Sequence, residues 1–379
     1  MQKTIDCKHF NGYKPCRPGW LCWHCKKREP WGTKILIINL DALGAVLMTT
    51  ALLPAIKRQY PKSVIHWATL PAAVPLLQNN PYIDKIWPYD FETASILQVM
   101  KYDRIYSIDK AHRSDALALL VRSKEKLGFA LDENGAITYF NSEAEYAYRL
   151  GLDDKLKFKR NKVTGVRFLA RAMKLDYRNE DYVLRLTDEE KQAAQDYRVK
   201  NGIGKTDIVI GFNTGCSDLF PNKKMTVEQH VRLIKQFHKK WPQVRIMLLG
   251  GKAETGRNAG IRKKSGAYVL NSPTAEGLRR GLVYLDACDL VITGDTSALH
   301  MAVALKKWVV AWFGLSCASE IELYGRGEKI LSDLDCTPCW KKSCDTLYCI
   351  KRLDLNEILL AVKRGVEILS KRHLNKNTA

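Results

Sequence analysis

Along the chain, runs of apolar residues alternate with stretches of amphipathic period. The first run, Lys34-Ile35-Leu36-Ile37-Ile38-Asn39, has the unbroken apolar character of a strand covered on both faces. It leads through Asp41, Leu43 and Gly44 into an amphipathic helix ending near Tyr60. The same reading gives a strand at Val64 to Ala68, a helix near Val74, a strand near Ile83 to Trp87, a helix near Ala94 and a strand at Arg104 to Ile108. Strands alternating with helices predict a parallel, doubly wound sheet.

From about Asn141 to Asp188 the chain is more helical and more charged, as expected for the end of one domain and a connection. A second alternation begins at Asp207 to Phe212 and continues with a helix from Val227 to Lys239. Strands follow at Val244 to Leu249, Tyr268 to Leu270, Leu290 to Thr293 and Trp308 to Trp312, with helices near Glu254 to Lys264, Ala275 to Ala287 and Ser297 to Leu305 between them. The prediction is an α/β protein of two Rossmann-like domains, 33–186 and 187–352, facing a cleft at the carboxyl ends of their strands. Residues 1–32 show no helical or alternating period and read as a small knuckle, and 353–379 read as a final amphipathic helix and tail.

At 379 residues the chain is long enough for two cores. No run approaches the ~20 apolar residues that cross a bilayer, and the N-terminus carries charges and a cysteine where a signal peptide needs an apolar stretch. The expected location is cytoplasmic. Sixty-one basic against forty acidic residues leave a net charge of +21. That charge favours a polyanionic partner: nucleic acid, an anionic membrane surface or a phosphorylated substrate.

Three loops at predicted strand ends carry candidate chemistry. Gly294-Asp295-Thr296-Ser297-Ala298-Leu299-His300 opens a helix with small and hydroxyl-bearing residues, whose backbone N–H groups suit a phosphate. A capped helix with a packed histidine would look the same. Asn213-Thr214-Gly215-Cys216-Ser217, followed by Asn222-Lys223-Lys224, offers hydroxyls and a lysine to a diphosphate. Gly250-Gly251-Lys252-Ala253-Glu254 places a carboxylate where dinucleotide folds hold a ribose.

Together these segments resemble glycosyltransferase family 9, the heptosyltransferases. The likeness rests on Asn213-Thr214-Gly215 through Lys223, Gly250-Gly251 through Glu254, Gly294-Asp295-Thr296 through His300-Met301-Ala302, and Phe313-Gly314. Leu40-Asp41-Ala42-Leu43-Gly44 and Thr49-Thr50 are similar to the family's opening loop, so the likeness spans roughly residues 33 to 370.

The resemblance implies a GT-B architecture, with the acceptor on the first domain and an ADP-sugar, usually ADP-heptose, on the second. By position it puts Thr214 and Lys223 on the diphosphate, Glu254 on the ribose and Pro273 beside the adenine. The amides around Thr296, Ser297 and Ala298 would hold the phosphate end, with Asp295 and His300 near the sugar. Lys223 and a helix end would meet the charge of the departing ADP, and no catalytic metal is expected. One position departs from the family. Its members commonly carry an aspartate base after the glycine of the first loop, where this chain has Ala45, and a methyl group cannot accept a proton. Asp41 as a replacement base, a chain without activity and an engineered change at position 45 remain open.

Eight of the eleven cysteines form two groups: Cys7, Cys16, Cys22, Cys25 and Cys336, Cys339, Cys344, Cys349. Four thiolates including a C-x-x-C fit a tetrahedral structural metal. Two structural ions are therefore expected, zinc first, with iron or an iron–sulfur cluster as competitor. His9 or His24 could replace a ligand, and the two groups could share theirs. Cys216, Cys288 and Cys317 read as buried thiols.

The reaction so implied moves a sugar, heptose by the resemblance, from an ADP-sugar to a hydroxyl of an anionic cell-envelope glycolipid such as lipopolysaccharide core, at the inner face of the cytoplasmic membrane. A protein serine or threonine is the alternative acceptor, and a non-catalytic sugar-nucleotide-binding scaffold the alternative class. Nucleic-acid binding is a third reading, taking the knuckles and the basic charge at face value, but specific nucleic-acid binding is not expected, because Trp20, Trp23 and Trp31 are as easily explained as packing around a metal. Whether the chain forms a homo-oligomer stays open.

Overall fold

A computed structural model describes residues 5–377. Two six-stranded sheets dominate. The first holds β1 (Lys34–Ile38), β2 (Val64–Thr69), β3 (Lys85–Pro88), β4 (Lys101–Ser107), β5 (Arg122–Leu131) and β6 (Ile137–Tyr139) in the order β3-β2-β1-β4-β5-β6. The second holds β7 (Val209–Asn213), β8 (Arg245–Leu249), β9 (Leu270–Asn271), β10 (Leu290–Gly294), β11 (Trp308–Phe313) and β12 (Gly327–Leu331) in the order β12-β11-β10-β7-β8-β9. Every pairing is parallel except β5 with β6. The strand order therefore reverses beside β1 and β4 in one sheet and beside β7 and β10 in the other, the switch points where open α/β sheets open a crevice.

The apolar runs became the central strands because helices cover both faces: β1, β2, β7, β10 and β11 are buried almost throughout. Three strands went unread. Charged positions stud β5 and β12, and an edge strand or a strand beside a hairpin tolerates them. The third, β6, is a three-residue hairpin arm opposite β5, too short for a visible period. The helix predicted from Leu43 to near Tyr60 is two α segments, Leu43–Thr49 and Leu53–Gln59, joined by a 3-10 turn at Thr50–Leu52.

The C-terminal helix Leu355–Asn377 is built into the second domain. Ile358, Leu359, Val362 and Val366 share a core with Trp308, Val310 and Trp312 of β11. Gly365 permits that approach, since a β-carbon there would lie 2.6 Å from the Trp308 indole. The N-terminal segment has no core of its own. Its 3-10 turn Cys22–His24 buries nothing. Lys8 pairs with Glu29 at 2.8 Å and Asp84 at 3.5 Å, and Trp31 meets His66 edge-on, which fastens the segment to the first domain.

The two sheets present the carboxyl ends of their switch-point strands to each other. The helix Leu43–Thr49, which follows β1, packs on the helix Ser297–Ala304, which follows β10. A further tie crosses the boundary: Arg279 reaches Pro75 O at 3.1 Å. No helix among the described residues is long and apolar enough to cross a membrane.

Candidate functional site

The loops after β7, β8 and β10 converge, and Asn213 is their tie. Its amide Nδ2 donates to Gly215 O at 2.9 Å, Thr293 Oγ1 at 3.0 Å and Thr296 Oγ1 at 3.2 Å, bridging the switch point. Thr296 in turn caps the helix Ser297–Ala304 through Ala298 N at 3.2 Å. Its positive end, with Ser297 and Ala298 in the first turn, points back over the strand ends.

Lys223 and Asp295 form the charged centre. Lys223 Nζ lies 2.7 Å from Asp295 Oδ2, with both side chains about seven-eighths buried. Burial pushes Asp295 up, but Lys223 and His300 outweigh it and hold the carboxyl below its ordinary range. Burial lowers the His300 imidazole below its ordinary range, partly offset by Asp295. It stacks on Tyr182, and its Nδ1 has no partner among the described residues. Lys223 is walled by aromatic rings, Trp340 at 5.1 Å and Phe220 at 5.4 Å.

The remaining sequence-derived positions fall around this centre in different ways. Thr214 is buried with its hydroxyl turned inward to Asn258 Oδ1 at 2.5 Å, so any contact with a diphosphate would not come from that O–H. Glu254 is buried beside Gly215, where a β-carbon would come within 2.7 Å of both carboxylate oxygens. It accepts from Gly251 N at 3.1 Å and stands 3.5 Å from Lys224. Pro273 is exposed on the loop after β9, and the following helix starts at Gly277.

In the first domain Asp41 is held by Arg113, with Nη2 to Oδ1 at 2.5 Å and Nε to Oδ2 at 3.2 Å. Both of its oxygens face the guanidinium. Ala45 and Met48 lie half-buried on one face of the helix Leu43–Thr49. The loop before them is fixed by Asp109, which accepts from Asn39 Nδ2 at 2.5 Å, from Leu40 N, and from Asp41 N at 3.2 Å. Burial pushes the Asp109 carboxyl up to about 7 against those three donors. Asp115 is likewise pushed up to about 7 by burial, with the charge of Asp109 adding to the effect.

Four residues at the domain boundary carried no signal in the sequence: Asp109, Lys110, Lys157 and Glu320. Burial pulls Lys110 down to about 8, and its Nζ donates to Ala147 O at 2.8 Å. Glu320 ends the 3-10 turn Ala318–Glu320. None belongs to a spacing motif; the fold alone brings Asp109 to the loop of Asp41, and Lys110, Lys157 and Asp295 to Glu320.

All eleven cysteines are free thiols. Cys7, Cys16, Cys22 and Cys25 line one small cavity with Phe10 and Trp20. Cys336, Cys339, Cys344 and Cys349 line another beside Asn222 and Leu315. The groups are separate, contrary to shared ligation. Among the described residues no three His, Cys, Asp or Glu side chains already stand as a metal-holding set. Cys288 and Cys317 are buried as expected, whereas Cys216 is only half-buried, its thiol donating to Phe220 O at 3.1 Å.

Comparison with known proteins gives this arrangement its relatives. Lipopolysaccharide heptosyltransferase 1 of Campylobacter coli is 24% identical over 355 residues, covering 87% of this chain and 98% of that protein. The fold matches a glycosyltransferase family 9 structure from Veillonella parvula at a TM-score of 0.71 and 18% identity, covering 89% of this chain and 98% of the other. It also matches ADP-heptose lipopolysaccharide heptosyltransferase II of E. coli at 0.64 and 18%, covering 88% and 98%. These likenesses establish the GT-B architecture. The model of glycosyltransferase family 9 (heptosyltransferase) matches residues 93–349, more than half of the chain. The chain belongs to glycosyltransferase family 9.

Proposed function

We propose that this glycosyltransferase moves heptose from ADP-heptose to a hydroxyl of an anionic cell-envelope glycolipid of the lipopolysaccharide-core type. The observation that carries the reading is the Lys223–Asp295 pair beside the capped end of the helix Ser297–Ala304. That arrangement suits a sugar diphosphate: the lysine and the helix end meet the phosphates, while Asp295 and His300 can hydrogen-bond a sugar. Glu254 stands where a ribose would lie, though it would have to exchange its Gly251 contact for one to a hydroxyl. The names of the relatives, lipopolysaccharide heptosyltransferases, support the donor and the acceptor. A net charge of +21 favours an acceptor carrying phosphates and work at an anionic membrane surface.

In the reaction the acceptor oxygen attacks the anomeric carbon as the bond to the β-phosphate breaks, and the electron pair leaves with ADP. Each cysteine group is read as a structural zinc site, with iron as the alternative. Four uncrosslinked sulfurs line one cavity in each, and burial together with the neighbouring thiols of Cys339, Cys336 and Cys344 pushes the Cys349 thiol up, a repulsion that a bound cation would relieve.

The test is incubation with ADP-heptose and heptose-deficient lipopolysaccharide core, with a serine- and threonine-rich polypeptide as a parallel acceptor. ADP release matched by a heptose mass gain on the glycolipid is expected. Release no faster than spontaneous hydrolysis with every acceptor overturns the reading, and a gain only on the polypeptide transfers it to protein acceptors.

A further inference from the structure

Resting on that reading, we infer that Glu320 is the carboxylate that takes the proton from the acceptor hydroxyl in place of the base missing at Ala45. The placement is the argument. Gly165, at the start of the helix Gly165–Ala172, touches both sides of the boundary. A β-carbon there would lie 2.8 Å from Met48 Sδ and 3.2 Å from Glu320 O. Met48 shares the open face of its helix with Ala45, one turn away. The turn bearing Glu320 is thus a neighbour of the face on which the family's usual base would stand. On its other side Asp295 is close enough to influence the Glu320 carboxyl.

Glu320 also has the chemistry the role requires. It is half-buried, and no hydrogen bond or ion pair occupies its carboxylate among the described residues. Asp41, by contrast, has both oxygens against Arg113. Asp109 is spent on three donors that hold its own loop. The turn is anchored from behind by Lys329, whose Nζ donates to Ala318 O at 2.8 Å and Ile321 O at 2.5 Å, so the side chain projects from a fixed backbone.

Three charged groups surround it. Burial pushes the Glu320 carboxyl above its ordinary range, Lys157 and Lys110 draw it down, and Asp295 pushes it up. A carboxylate raised in this way is more basic than a solvated one. In the step, the acceptor O–H bond breaks and its proton goes to a Glu320 oxygen. The acceptor oxygen bonds to the anomeric carbon, and the sugar–phosphate bond breaks with its electrons leaving on ADP. The two lysines offer charge to an anionic group on the acceptor.

The experiment compares wild type, Glu320→Gln and Asp41→Asn in the transfer assay across pH 5 to 9, with ADP binding followed by calorimetry. Glu320→Gln is expected to lose at least about 100-fold in kcat, in line with the usual contribution of a general base. Its KM for the ADP-sugar should stay within about threefold and its acidic limb in the pH–rate profile should vanish, while Asp41→Asn keeps that limb. Glu320→Ala should regain rate with added formate. A Glu320→Gln enzyme retaining wild-type kcat overturns the assignment while leaving the transferase reading intact. Loss of ADP binding in both Glu320 variants also overturns it, by making the residue structural. A wild type without transfer overturns both.

Discussion

Gly44 and His300 meet across the domain boundary so closely that a β-carbon on the glycine would lie 2.9 Å from the imidazole Nε2 and closer still to Cδ2. The glycine lets the helix after β1 seat on the helix after β10 while His300 stays beside Asp295. Gly44→Ala must therefore push the histidine or part the domains. Overpacking of this kind costs about 1–3 kcal/mol. Calorimetry should show Tm falling by several degrees, and ADP release should show catalytic efficiency reduced at least about 10-fold. An alanine variant with unchanged kinetics would show that the domains close without this contact.

Removing Lys223 should hurt twice. Lys223→Met takes the positive charge from the proposed donor site and strands Asp295, a penalty of about 3–5 kcal/mol when one partner of a buried pair is lost. ADP affinity should fall at least about 10-fold and Tm should drop. The double change Lys223→Met with Asp295→Asn should recover much of the Tm and none of the affinity. Thermal melts and titration calorimetry separate the two effects.

Asp109 and Asp115 give the first domain a pH signature. Burial raises both to about 7, above the ~4 of an unfolded aspartate. For carboxyls raised on folding, the contribution to stability is complete below about pH 4 and is lost as pH rises through about 7. The buried His66 works in the opposite sense: burial holds it down to about 4, so its contribution is present above about 6.5 and is lost as pH falls toward 4. Asp115→Asn should leave Tm near wild type at pH 5 and raise it at pH 8.5. Equal shifts at both pH values would remove Asp115 as the cause.

The cysteine groups predict metal content directly. Elemental analysis of protein purified without chelator should give two ions per chain, zinc before iron. Cys25→Ser and Cys344→Ser should each lose about one. A full complement in either variant would exclude that group as a metal site.

Much of this architecture was legible because it rests on short apolar runs at regular spacing: β1, β7, β10 and β11 need cover on both faces, and amphipathic helices lie between such runs. The convergent loops were legible because glycines and hydroxyl residues sit directly after those strands. The direction of a side chain was not, and Thr214 shows why: its hydroxyl had a buried partner in Asn258, 44 positions later, that no local pattern announces. Asp41 looked available until Arg113, 72 positions away, came to lie against it. Glu320 has the same history in reverse: the fold of its own domain sets it near Asp295, and only the meeting of the two domains sets it near Lys110 and Lys157.

The helix beginning at Leu355 has a consequence for how the polypeptide is made. Because Ile358, Leu359, Val362 and Val366 complete the layer over β11, the second sheet waits for the residues of this helix to leave the ribosome before its apolar face is covered. The first domain, whose six strands end by Tyr139, has no such delay. Translation thus releases an ordered half attached to an unfinished one, and a stop codon shortly before residue 355 would leave that half permanently sticky.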